Sequence, residues 1–172
     1  MNNTRKRLIW LAAVLIWMGV IFYFSAQNGE QSSKLSDGMV AKVIQWFVPD
    51  FENREVSWQQ SILQFGTLLV RKSAHFLEYA VLGVLLFNFV RTWNGRFRGL
   101  IAWGVAVIYA ITDEWHQTFA DGRTPKITDV AIDAAGACTG ILVFLLVCAI
   151  LKKISARKKR RQPAWTAERE DV

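Results

Sequence analysis

The sequence predicts an all-α, polytopic membrane protein with four transmembrane helices and one or two interfacial amphipathic helices. Three observations carry this. Apolar residues make up 52% of the 172 residues, and they are gathered into runs instead of alternating with polar ones. The longer runs suit a hydrocarbon core of about 30 Å, which takes about 20 helical residues to cross. The basic residues and many of the 8 Trp flank these runs, where a bilayer interface would hold them. The net charge of +7 admits nucleic acid or anionic lipid as a partner. Because the basic residues flank apolar runs, with no base-reading element beside them, lipid is expected and nucleic acid is not.

Arg5, Lys6 and Arg7 precede an apolar run over residues 8–24. A signal peptide starts in the same way. This run is longer than a signal core, and SAQN follows it instead of a small-x-small cleavage site, so a retained first span is predicted. Residues 25–73 form a mixed extracytoplasmic loop. In it Leu35, Met39, Val43 and Phe47 recur every four residues beside Val40 and Ile44, an amphipathic helix that Pro49 ends. Ser57 is placed to cap a second helix carrying Ile62, Phe65 and Leu69 on one stripe. Both helices are too short and too polar to span, and are expected on the membrane surface. The second either breaks at Gly66 or runs on into the next span.

The second span is predicted over residues 74–90, interrupted by His75 and Glu78, and Asn94–Gly95 marks the turn after it. The third covers residues 99–119 and carries Asp113, Glu114 and His116 in its last turns. Gly122 and Pro125 break the link that follows. Thr128 is placed to cap the fourth span, over residues 129–151, with Asp129 at its positive end. Residues 1–151 thus make one membrane domain. Residues 152–172 are a basic, then polar, tail expected to be disordered, its Lys and Arg held to anionic inner-leaflet lipid. Cys138 and Cys148 share one apolar run and cannot bridge within it.

Four spans put both termini on one side. Lys and Arg are in excess at the N-terminus, in the Arg91–Arg98 loop and in the tail, so that side is read as cytoplasmic. The outer ends of three helices then carry Lys72, His75 and Glu78; Asp113, Glu114 and Gln117; and Asp129 and Asp133. A charge costs roughly 2.5–3.5 kcal/mol at the bilayer centre and less toward its edge. So many at one end predict a shared, outward-facing polar pocket. Spacing supports convergence: His75 follows Lys72, and Glu78 follows His75, at i+3, while Asp113 and Gln117 are i, i+4. Gly136-x-x-x-Gly140 lets a neighbouring helix approach closely, which turns Asp133 inward.

Four readings of the pocket compete. In one it is a structural ion-pair network, with Arg71, Lys72 or Arg123 neutralising the acids. In another Arg123 and Lys126 clamp an anionic head group while the acids meet amines or hydroxyls. A catalytic reading takes Glu78 or Glu114 as general base and His75 as its acid–base partner, with Asp113 nearby. A metal reading has enough ligands in His75, Glu78, Asp113, Glu114 and His116, but no diagnostic spacing, so neither a metal nor another cofactor is predicted.

The stretches Phe24-Ser25-Ala26-Gln27, RKSAHFLEYAVLGVLL and DEWHQTFADGRTPKITDVAIDAAGACTG resemble the VanZ-like family of small bacterial membrane proteins. Lys72, His75, Phe76, Glu78, Tyr79, Asp113, Glu114, Gln117, Arg123, Asp129, Asp133 and Gly136 fall on its pattern. Ala26 replaces a frequent second serine, and Asp133 stands where the family often has Asn. The resemblance implies a multi-pass protein of the bacterial cytoplasmic membrane and a link to resistance against teicoplanin-type glycopeptide antibiotics. The expected ligand set is Lys72, His75, Glu78, Asp113, Glu114, Gln117, Arg123, Asp129 and Asp133. The expected role is binding of a membrane lipid or lipid-linked cell-envelope ligand. An acid/base enzyme acting on such a substrate is the alternative.

Overall fold

A computed structural model of the chain describes residues 2–26, 38, 40–48, 50–118 and 126–161. These residues are helical, with no strand among them. Helix α1 is Asn3–Ser25, α2 covers residues 40–47, α3 is Val56–Val90, α4 is Arg98–Gln117 and α5 is Ile127–Arg161; a single 3-10 turn, Phe51–Asn53, lies between α2 and α3. The centre of the bundle is α3, which packs most extensively on α5 and also against α4 and α1.

Among the described residues three helices are long and apolar enough to cross a membrane: α1, α3 and the Ile127–Lys158 part of α5. Four spans were expected. Helix α4, at 20 residues, is about 30 Å long and long enough to cross. Asp113, Glu114 and His116 in its last turns lower its apolar character, and it falls outside that set. The surface of the bundle is apolar: Leu15, Ile16, Ile101, Ile108, Leu142, Val143 and Leu146 all face outward. A soluble protein rarely exposes so continuous an apolar surface, whereas a bilayer requires it.

Several boundaries are decided or moved by the structure. Of the two alternatives for residues 57–70, the helix runs on into the second span, because α3 is unbroken from Val56 to Val90. Gly66, a candidate break, is instead where α2 sits down. A β-carbon there would strike Val40, which is buried, and would touch Ile44. The other face of α2, with Val43, Trp46 and Phe47, is exposed; Leu35, Met39 and Pro49 lie outside the described residues. Ser57 and Thr128 do not cap their helices. Ser57 lies inside α3, where its hydroxyl donates to Glu55 Oε1 at 2.6 Å, and Thr128 lies inside the first turn of α5. The tail expected to be disordered from residue 152 stays helical as far as Arg161. Lys and Arg are good helix formers, and extending an existing helix needs no new nucleus.

Helices α3 and α5 touch backbone to backbone. A β-carbon on Gly136 would overlap the carbonyl oxygen of Phe76, one on Gly140 that of Ala80, and one on Gly83 that of Ala137. The Gly136-x-x-x-Gly140 spacing therefore acts as a contact surface, and Gly83 answers it from the other helix. Among the side-chain bonds to backbone carbonyls that tie on helix α1, Arg7 Nη2 donates to Thr92 O at 3.3 Å. Trp17 Nε1 donates to Glu78 O at 2.9 Å, and the Tyr109 hydroxyl donates to Met18 O at 2.7 Å.

Candidate functional site

Helix α4 explains how acids come to face inward. Ala102, Ala106 and Ala110 form a fully buried stripe, and Asp113 and Gln117 continue that stripe by one and two turns. The face that packs the helix is also the face that carries its polar end. Glu114 is drawn in beside them, at 7% exposure.

A cleft of about 420 Å³ opens where the polar ends of α3, α4 and α5 meet. Helix α3 lines it with Arg71, Lys72 and His75, and α4 with Glu114 and Gln117. The start of α5 supplies Lys126, Thr128, Asp129 and Asp133, with Leu68 and Ile132 as apolar walls. Two of the three acids of the cleft, Glu114 and Asp129, have direct partners. Glu114 Oε1 accepts the Lys126 backbone N–H at 2.6 Å, so a carboxylate on α4 holds the first turn of α5. Asp129 pairs with Lys72 at 3.5 Å. Asp133, nearly fully buried, lies 3.9 Å from His75 Nδ1. Arg71 and the Lys126 side chain form no ion pair among the described residues, and both residues line the cleft.

Behind the cleft lies a second polar layer. Asp113 faces α1, and its Oδ2 accepts bonds from Ser25 Oγ at 2.8 Å and Gln117 Nε2 at 3.2 Å; Gln117 Nε2 also reaches Ser25 Oγ at 2.5 Å. Glu78 is half-buried and close enough for its charge to act on Asp113 and Asp133. Tyr79 is fully buried; its hydroxyl, Asp113 Oδ1 and Asp133 Oδ1 have no hydrogen-bond partner among the described residues.

The VanZ/LLP1 family profile matches residues 10–149, most of the chain. The chain belongs to the VanZ/LLP1 family. No curated protein and no solved structure matches it. The VanZ/LLP1 region contains the whole cleft and the layer behind it.

Of the ligand set expected from the sequence, Lys72, His75, Glu114, Gln117, Asp129 and Asp133 line the cleft. Glu78 and Asp113 do not; they belong to the layer behind it. Arg123 lies outside the described residues. His116, counted in the metal reading, turns away and packs against Phe22, with ring centroids 4.2 Å apart. Among the described residues no three His, Cys, Asp or Glu side chains are arranged to hold a metal ion. Two residues carry more than the sequence reading assigned them. Arg71, read there only as a neutralising partner, is a wall of the cleft; its i, i+4 relation to His75 was the available signal. Ser25, visible only within a short family block, is the α1 contribution to the buried layer.

Proposed function

We propose that this VanZ/LLP1 protein binds an anionic head group of an amphiphilic, cell-envelope ligand in the cleft. The observation that carries the reading is the pair of cations, Arg71 and Lys126, which line the cleft without an ion pair among the described residues while Glu114 and Asp129 have partners of their own. A guanidinium donates two parallel bonds to a phosphate or carboxylate, and Lys126 adds a point charge. Arg71→Ala is expected to weaken binding of glycerol phosphate, a soluble head group, by roughly 10–100-fold, the value of a hydrogen bond to a charged group. Titration of the purified protein checks this. Equal binding by the variant, or no binding by the unaltered protein, contradicts the reading.

The reading includes a topology. Helix α4 is the third of four spans, both termini are cytoplasmic, the membrane is the bacterial cytoplasmic membrane and the cleft faces outward. The basic end of α5 then meets anionic inner-leaflet lipid. Exposed Ser57 lies on the cleft side of the bundle. Ser57→Cys, with Cys138 and Cys148 replaced, is expected to react with an impermeant thiol reagent added to intact cells. Reaction only after lysis would reverse the orientation. Placed so, the cleft meets envelope-targeting amphiphiles on the side where teicoplanin-type glycopeptides act, which supports a part in resistance to them.

One observation favours a second reading, an acid/base enzyme acting on a lipid-linked substrate. Asp133 Oδ1 is buried, has no hydrogen bond among the described residues, and lies beside His75 at the cleft wall. Chemical conversion of a bound lipid phosphate by the unaltered protein, lost in Glu114→Gln while binding persists, would select it.

A further inference from the structure

The polar cleft is not closed on its membrane side. Below Lys72 it continues into a shallow apolar groove of about 460 Å³ between α3 and α5, lined by Lys72, Ser73, Phe76, Leu77 and Ile132. Lys72 and Ile132 belong to both cavities. Phe76 is one helical turn along α3 from Lys72, about 6 Å deeper. Leu77 is 62% exposed. Phe76, in the groove wall, is where the α3 backbone meets Gly136 of α5.

We infer that this groove seats the upper part of one hydrocarbon chain of a phosphate-bearing lipid whose head group occupies the cleft. The inference rests on the head-group reading above and adds where the tail leaves. Three features select this occupant. The cleft offers cations to a phosphate. The groove begins where the cleft ends and has no charged side chain below Lys72. Its depth relative to Lys72 matches the step from a phosphate to the first methylenes of its chain. Tails are already in apolar surroundings in a bilayer, so the groove adds position and contact and no hydrophobic driving force. The head group must therefore supply the preference for this site over the rest of the bundle surface.

The test uses the full protein in phosphatidylcholine nanodiscs with a phosphatidate carrying a photoreactive group at the top of its chain. Adducts are expected to concentrate on Phe76, Leu77 and Ile132 about tenfold over Leu142 and Val143, which are exposed like Leu77 and more than the other two; that is the least that one hydrogen bond to a charged head group provides. Arg71→Ala should reduce them to the level of Leu142, and Arg71→Lys should restore part of the excess. Uniform labelling of the outward faces, in a protein that still binds glycerol phosphate, overturns the groove and leaves the cleft reading standing. An excess that persists unchanged in Arg71→Ala overturns the continuity of groove and cleft. Failure of the unaltered protein to bind glycerol phosphate overturns both.

Discussion

Gly140→Leu is expected to prevent the bundle from assembling, the largest stability effect in this molecule. The β-carbon alone would overlap the Ala80 carbonyl oxygen, which is backbone and cannot rotate away. Relief requires α3 and α5 to separate. The same separation would lose the contacts at Gly136 and Gly83, because all three glycines hold one seam. Overpacking by even a methyl typically costs about 1–3 kcal/mol, against a total stability of about 5–15 kcal/mol. Gly140→Ala should therefore lower the melting temperature in detergent, and Gly140→Leu should leave no monodisperse protein. Gly104→Ala is the control. It has nothing within 4 Å of a new β-carbon, and it replaces a glycine inside α4, so it should be neutral or stabilising by up to about 1 kcal/mol. Equal behaviour of Gly140→Ala and Gly104→Ala would mean that the seam does not exist.

The second large effect separates charge from hydrogen bonding in the buried layer. Asp113→Leu removes the acceptor of both Ser25 Oγ and Gln117 Nε2. Ser25 and Gln117 are buried at 2% and 7% exposure, so water does not replace it easily. An abandoned buried polar group costs about 1–3 kcal/mol, and two are put at risk. Their mutual contact at 2.5 Å keeps part of that. Asp113→Asn should behave differently. Its amide oxygen still accepts from Ser25, and any negative charge at this position, which would oppose those of nearby Glu78 and Asp133, is removed. Thermal unfolding should therefore rank Asn at or above the unaltered protein and Leu well below it. An Asn variant destabilised as much as the Leu variant would show that Asp113 is needed as an anion and not only as an acceptor.

Much of this arrangement was legible in the sequence, for a physical reason. Ionisable residues inside apolar runs are costly, so His75, Glu78, Asp113, Glu114 and Asp133 announce themselves, and their spacing indicates one end of a bundle. Gly136 and Gly140 likewise marked the close helix contact. Direction was harder to read. Asp113 and Glu114 are neighbours in sequence, yet one bonds toward α1 and the other toward the start of α5. Only the packing of the Ala102, Ala106 and Ala110 stripe decides which way each points. The partner of the glycine pair, Gly83, stood alone in its run and gave no spacing signal. Helix ends were misplaced where composition changes but the backbone does not. Gly66 looked like a break because its role is to admit Val40, and Lys152–Arg161 looked like a tail because charge hides the continuing helix.

The claim on which the rest depends is that α3, α4 and α5 close one polar cleft, and its most direct test is a proximity measurement across it. Lys72→Cys and Asp129→Cys, together in a protein with Cys138 and Cys148 replaced by Ala, stand where an ion pair of 3.5 Å now joins α3 to α5. In native membranes a short bis-maleimide is expected to link the two within one chain, and each cysteine alone should react with a monofunctional maleimide. Two cysteines that each react yet never link would show that the helix ends stand apart, and the cleft with its proposed head group would go with them.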